Sequence, residues 1–474
     1  MADLVENRFW GREQERAALH DWNGKQSRLT VLYGRRRVGK TRLVEEAFRD
    51  VNLIRVEGLE GLGARTQQAL FRQMLISRLG YTSLEKAEND WLSLLSRLSD
   101  CLGNKPAVVF LDEFQWLAGG RTALVSKLKH AWDNLFSKRN RVHLILCGSV
   151  SSFMVDKVMK SRSLYGRVDR EIHLLPLLAP SIIEDFTAKR SLEETVEIFM
   201  TVGGIPQYLK MFDLTRSLRL NVEALFFSPN AYFVNEFERI FASHFGTNPH
   251  YREILLHLAE RRWADRDSIK KAARSKSGGR ISEYLSNLEI AGFVEKYVPV
   301  DKPQTERNAR YRLCDPYLDF YFRFVHGNRK RINQGHIQNP QLQFLADRVY
   351  YPWRGLAFER FCYGHRQLIA DKLGFGSVIF DAGPWFSRRT KDKSFQVDLV
   401  FIRADRVMTV CEIKFMDKKV GMDVIAPFEQ RIQRTENPKR MSVEKILVTA
   451  TEPTDRLRRE GYFHRILTLR NLFG

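Results

Sequence analysis

Three clusters of residues in this chain of 474 are of types and spacings that do chemistry. Gly34, Gly39, Lys40 and Thr41 follow the pattern glycine, four residues, Gly-Lys-Thr. The run Leu29 to Tyr33 ahead of it is apolar and β-rich, and Thr41 to Phe48 behind it carries a helical pattern. A strand feeding a glycine loop that opens a helix aims backbone N–H groups and a helix N-terminus at one spot. That favours a polyphosphate such as ATP. Lys40 is expected to reach the outer phosphates, with Arg37 among the loop contacts, and the Thr41 hydroxyl to hold Mg²⁺. The second cluster, Asp112-Glu113, ends the apolar run Ala107 to Leu111. A buried parallel strand ending in two acids faces its ligand with them. Asp112 is expected in the Mg²⁺ shell, and Glu113 as the general base that polarises water.

The third cluster lies far downstream. Asp398 sits in the run Phe395 to Arg403, and Glu412 and Lys414 in the run Arg406 to Phe415. Residues two apart on a strand share a face, and charge inside an apolar strand is costly without a partner or a task. A three-residue loop, Ala404-Asp405-Arg406, sets Asp398 opposite Glu412 on that face. A two-residue turn sets it opposite Cys411, on the other side, unless a bulge restores it. Two such carboxylates suit a hard divalent cation, Mg²⁺ or Mn²⁺. The ion would lower the pKa of a bound water and steady a scissile phosphate, with Lys414 stabilising developing charge. Glu359, on a helix expected over Gly355 to Leu368, is placed to contribute. The alternative is a metal-free ion pair of Lys414 with one of the acids.

Further elements position the first two clusters. The apolar run Val142 to Cys147 ends in Gly148-Ser149, where a polar residue can sense a γ-phosphate or simply close a turn. Arg167 has two readings, an arginine finger or a surface arginine, with Arg162 and Arg170 as competitors. Pro206 either lines an adenine pocket or starts a helix.

Length suggests about three domains. The formal net charge of +21 is densest in the second half and suits a polyanionic partner, nucleic acid before acidic lipid. No stretch of 18 apolar residues is present and none follows the acidic start, so neither a membrane span nor a secretory leader is expected. The five cysteines lack CxxC spacing; buried free thiols in a cytoplasmic protein are expected rather than disulfides or zinc.

Between the clusters, Tyr251 to Arg262, Asp267 to Arg274 (capped by Asp267) and Arg280 to Ala291 read as helices. Phe293 to Val300 and Ala309 to Leu313 read as an antiparallel hairpin. Three helices and a hairpin make a winged helix-turn-helix. Lys276 and Arg280 would lead the third helix into a major groove of double-stranded DNA, and Arg307 and Arg310 would meet phosphates from the wing. A packing or regulatory role is the alternative. Tyr317, Phe320, Tyr321 and Phe324 are spaced as a core stripe.

The ordered motifs FWGRE, LYGRRRVGKTRL, VVFLDEFQWL, LILCGS, LYGR and GGIPQYL resemble the archaeal-type ATPase family, AAA+/STAND-like P-loop ATPases near the origin-recognition ATPases. The resemblance implies an α/β core with a helical lid. It implies Gly11 and Arg12 near the base, Ser149 as the phosphate sensor and Pro206 as the GxP proline, and it marks Arg167 as a position the family keeps. The set Glu359…Asp398…Glu412-Ile413-Lys414 resembles the PD-(D/E)xK nuclease superfamily, with Val397 where the name-giving proline would stand.

The expected organisation is α/β and multidomain. It comprises a P-loop ATPase core with helical lid (1–245), a winged helix-turn-helix (246–335), a linker (336–350) and a restriction-endonuclease-like α/β domain (351–474). The expected function is an ATP-hydrolysing, DNA-binding protein with a Mg²⁺- or Mn²⁺-dependent deoxyribonuclease domain, forming homo-oligomers on one reading. The alternative is a STAND-like ATPase switch whose last domain is degenerate.

Overall fold

Five runs become the strands of one sheet, β1, β3 and β4 being the most apolar: β1 (Arg28–Gly34), β2 (Leu53–Glu57), β3 (Pro106–Asp112), β4 (Arg141–Ser149) and β5 (Arg170–Leu174). They lie in the order β2-β3-β4-β1-β5, and every adjacent pair is parallel. Near-continuous apolar strands are what a sheet covered on both faces requires. Val31, Val109, Leu144 and Leu146 are all buried in its core. The connections include helices α1 (Glu13–His20), α2 (Lys40–Ala47), α3 (Ala64–Leu79), α4 (Trp91–Leu102) and α5 (Ala123–Ala131). The computed structural model describes residues 8–80, 90–119, 123–149, 153–160, 163–274, 277–300, 302–337, 347–387, 395–435, 437 and 440–474. Lys276, Arg162, the loop 388–393 and most of the linker 336–350 lie outside them.

The chain divides into two compact units. One comprises Met1–Leu177, Ile205–Gln207 and Ile240–Gly246; the other Leu178–Gly204, Tyr208–Arg239 and Thr247–Gly474. The helices expected as a lid on the first 245 residues are thus shared, most of them counting with the second unit.

In the second unit, α6 (Leu192–Val202) starts at Ser191, whose hydroxyl accepts from the Glu194 N–H. Further on come α7 (Pro249–Ala259), α8 (Arg266–Ala272) and α9 (Gly278–Ile290), then the antiparallel pair β6 (Val294–Tyr297) and β7 (Arg310–Leu313). The cap of α8 is Asp265, whose carboxylate accepts from the Ser268 N–H, and not Asp267. Both are acids; Asp265 takes the cap because it alone has the extended backbone that lets a side chain turn back on the first turn. The aromatic stripe is core: Tyr317, Phe320 and Tyr321 are completely buried.

The last sheet has five strands in the order β12-β11-β10-β9-β8. These are β8 (Phe380–Ser387), β9 (Phe395–Arg403), β10 (Val407–Lys414), β11 (Ser442–Thr449) and β12 (Arg465–Thr468). β8, β9 and β10 are antiparallel neighbours, and β10, β11 and β12 are parallel. Two helices flank it, α10 (Asp347–Gly364) and α11 (Ile425–Gln433). α10 starts before Pro352, inside the expected linker, and carries the proline within the helix, in its second turn.

Candidate functional site

The glycine loop closes the carboxyl end of β1. Gly34 pairs with Leu174 of β5 so closely that a side chain there would strike the Leu174 carbonyl. Gly39 caps α2 with φ +96°, a left-handed value that favours glycine. Arg37 is also left-handed, at φ 69°. Lys40 is buried, and its ammonium donates to the carbonyl oxygens of Gly34 and Arg35, each at 3.1 Å. A buried cation satisfied only by neutral carbonyls is poised to exchange them for phosphate oxygens.

Asp112, at the carboxyl end of β3, is 1% exposed. The Thr41 hydroxyl donates to its Oδ2 at 2.9 Å, and Arg55 of β2 reaches the same oxygen at 2.9 Å. The hydroxyl and the carboxylate thus stand together, and both are oxygen donors of the kind Mg²⁺ takes, so these side chains fit that ion. Glu113 follows in left-handed backbone, φ 47°, a strained state that turns its side chain off the strand. Gln115 donates to its carboxylate, and the Ser149 hydroxyl stands at 3.4 Å from Oε2. The base and sensor candidates therefore face each other. Pro206 lies beside the loop: a Cβ placed on Gly39 would stand 4.0 Å from its ring. Arg12 braces the same loop, donating to the carbonyls of Leu175 at 2.6 Å and Val38 at 3.4 Å.

Arg167 is not part of this constellation. It precedes β5, at the amino edge of the sheet, opposite the glycine loop, and binds Asp133 through Nε (2.6 Å) and Nη2 (2.9 Å). That guanidinium holds the Asp133 carboxyl down to about 2. Arg167 thus stands at the opposite end of the sheet from Lys40. Arg170 pairs with Asp21.

The second constellation is built on β9 and β10. Met408 faces Ile402, and Cys411 faces Leu399; the same register, one step on, sets Glu412 opposite Asp398. This is the pairing of the three-residue loop, and both acids point to one face. Glu359 approaches them from α10, near enough for its charge to act on Asp398. Burial pushes the Asp398 carboxyl well above its ordinary range, and the neighbouring Glu359 and Glu412 push it further. Burial also raises Glu359, against the pull of Arg262, Arg360 and Lys414. Glu412 is 2% exposed and ion-paired twice, to Lys414 at 2.6 Å and to Arg431 of α11.

Among the described residues no group of three His, Cys, Asp or Glu side chains forms a ready metal-ligand cluster. The donor types of Asp398 and Glu412 fit a hard divalent ion, and Glu412 would have to give up part of its pairing to take one.

In the helix–hairpin segment, Arg280 and Arg307 are exposed. Arg310 instead stacks on Trp263, 4.4 Å from guanidinium to ring centroid, with Asp265 at 4.0 Å. Arg55, Gln115, Arg431 and Arg262 were missed from sequence. The signal for Arg55 was available, as a charge in the middle of a short strand.

Residues 9–212 match the family described as an ATPase domain predominantly from Archaea. The uncharacterized protein MJECL04 of Methanocaldococcus jannaschii is 25% identical over 417 residues, 87% of this chain and 88% of the relative. The Walker-type ATPase PABY2304 of Pyrococcus abyssi is similar over 66% of this chain and 96% of its own, at 20% identity and a TM-score of 0.49. The Aeropyrum pernix ORC2 protein is similar over 70% and 97%, at 18% identity and a TM-score of 0.45. No helix among the described residues is long and apolar enough to cross a membrane. The matched residues 9–212 include the glycine loop, Asp112 and Glu113, which gather at one edge of a parallel sheet.

Proposed function

We propose that this chain binds and hydrolyses ATP, holds duplex DNA through a winged helix formed by α7 to α9 with β6 and β7, and cuts phosphodiester bonds at a PD-(D/E)xK-type site. The observation that carries the cutting half is the register of β9 and β10, which sets Asp398 and Glu412 on one face beside Lys414.

In the ATPase domain Lys40 exchanges its loop carbonyls for phosphate oxygens. Glu113 takes a proton from the attacking water, and the Ser149 hydroxyl keeps that water between itself and the terminal phosphate. Arg55 balances the charge of Asp112. Thr41 and Asp112 would hold Mg²⁺, which supplies neutralisation of the phosphate charge. Arg167 acts on a neighbouring copy's nucleotide if copies assemble in a ring.

In the last sheet Asp398 and Glu412 would hold Mg²⁺ or Mn²⁺, which activates water and steadies the phosphate. Lys414 meets charge developing on the phosphate, and Glu359 orients Asp398. The test is supercoiled plasmid with Mn²⁺, wild type beside Glu412→Ala. Nicking by the wild type alone is expected; equal cutting by both, or by neither, overturns the nuclease.

A second reading has its own observation, the double pairing of Glu412 with Lys414 and Arg431. A carboxylate so neutralised suits a degenerate site in a STAND-like ATPase switch. That reading predicts nucleotide-dependent partner binding and no cutting.

A further inference from the structure

One cation at the carboxylate cluster comes from outside its sheet. Arg262, in the loop after α7, donates from Nη1 to the Gln396 side-chain oxygen at 3.4 Å. Gln396 stands two residues from Asp398 on β9, its amide 3.5 Å from the Asp398 Oδ1. Arg262 is exposed, and its hydrogen bond goes to a neutral amide, so its charge stays available. Its neighbour Trp263 carries the stacked Arg310 guanidinium. Arg310, Trp263, Arg262 and Gln396 therefore run as one track from the hairpin to Asp398.

Electrostatics gives the track a task. A phosphodiester approaching Glu359, Asp398 and Glu412 meets like charge. Lys414 and Arg431 are already engaged with Glu412. Among the described residues, Arg262 is an exposed cation at the cluster whose direct partner is neutral.

We propose that Arg262 binds the backbone phosphate next to the scissile one in duplex DNA, with Arg310 and Trp263 forming the wall that leads the strand in from the helix–hairpin segment. The site so assigned is composite, with the gripping cation on one segment and the cutting acids on another. It rests on the nuclease reading above and names how that site takes its substrate.

The experiment uses the full chain and a short fluorescein-labelled duplex. Anisotropy is measured with Ca²⁺ across a salt series, and cutting is measured separately with Mn²⁺. Arg262→Gln is expected to weaken duplex binding about tenfold and to lower the log–log salt slope by about one, the signature of one lost phosphate contact. Arg262→Lys should restore most of the affinity, and ATP turnover should stay unchanged in both. Wild-type affinity and slope in Arg262→Gln overturn the proposal.

The two readings fail separately. A wild type that does not cut, together with an Arg262→Gln that binds more weakly with a lower slope, removes the nuclease and keeps the phosphate site. A wild type that cuts, beside an inactive Glu412→Gln and an Arg262→Gln indistinguishable from wild type, removes the phosphate site and keeps the nuclease. A wild type that binds no duplex removes both.

Discussion

The glycine-loop site and the carboxylate site handle charge in opposite ways. At the first, the key cation is held by neutral oxygens: Lys40 rests on two carbonyls, and Asp112 is shared between a hydroxyl and one arginine. An arriving polyphosphate displaces weak partners and finds the geometry already set. At the second, acids outnumber the space for them. Glu412 is paired twice, and burial together with the like charges of Glu359 and Glu412 raises the Asp398 carboxyl. An arriving cation must displace charge-assisted partners, each stronger than a neutral one. The contrast teaches that the first site is built to receive an anion as it stands, whereas the second is closed until something competes for its acids.

The sharpest way to break the comparison is at Glu113. Glu113→Gln keeps the shape and removes the base, so ATP turnover by phosphate release should fall about 10²- to 10⁴-fold with nucleotide binding retained. Unchanged turnover would place the base elsewhere. Lys40→Ala should lower both turnover and nucleotide affinity, because the anion then loses its nearest buried cation.

Next in size is a stability effect inside the second unit. Arg354 of α10 is buried and pairs with Glu197 of α6 at 2.6 Å and with Asp417, just past β10, at 2.7 Å. It also lies over the rings of Tyr351 and Phe415. Burial raises the Glu197 carboxyl, against the pull of this arginine. Arg354→Met strands that acid and should cost about 3–5 kcal/mol in denaturant unfolding. The double change with Glu197→Leu should recover much of the loss. A single variant as stable as wild type would show that this network does not fix α10, and with it Glu359.

The smallest expected effect is a pH dependence. His365 is buried, with Nε2 accepting from the Ala179 N–H and Nδ1 facing the Phe361 carbonyl. Burial lowers its pKa from 6.5 to about 4. The folded state therefore excludes a proton that the unfolded chain takes up. Its stabilising contribution is complete above pH 6.5 and is lost as pH falls from there towards 4, by about 3 kcal/mol. His365→Gln should flatten the unfolding free energy over that window; an unchanged slope would assign the acid sensitivity to other groups.

The two sites were unequally legible in the sequence. The glycine loop, Asp112 and Glu113 lie on contiguous runs whose strand and helix patterns are local, so β1, β3 and β4 could be read, whereas β2 and β5, each with charged residues inside it, were not. The Asp398–Glu412 register was legible only as one of two alternatives, because the sequence did not choose between a three-residue and a two-residue turn; the pairing of Met408 with Ile402 decides it. What brings Arg431 to Glu412 and Arg262 to Gln396 is packing between distant segments, which leaves no spacing to read. β8 was missed because Gly383 and Pro384 break its pattern. A proline cannot donate to a ladder and is tolerated at such an edge, where the register shifts between Gly383 and Trp385. The position of Arg167 was not legible either. Its motif marks it, but only the sheet order reveals that it stands at the edge away from the glycine loop.

The central claim is that Asp398 and Glu412 open to take a divalent ion. A calorimetric Mn²⁺ titration of nucleotide-free wild type beside Asp398→Asn addresses it without relying on catalysis. The account predicts a binding event in the wild type that Asp398→Asn lacks; superimposable isotherms would contradict it.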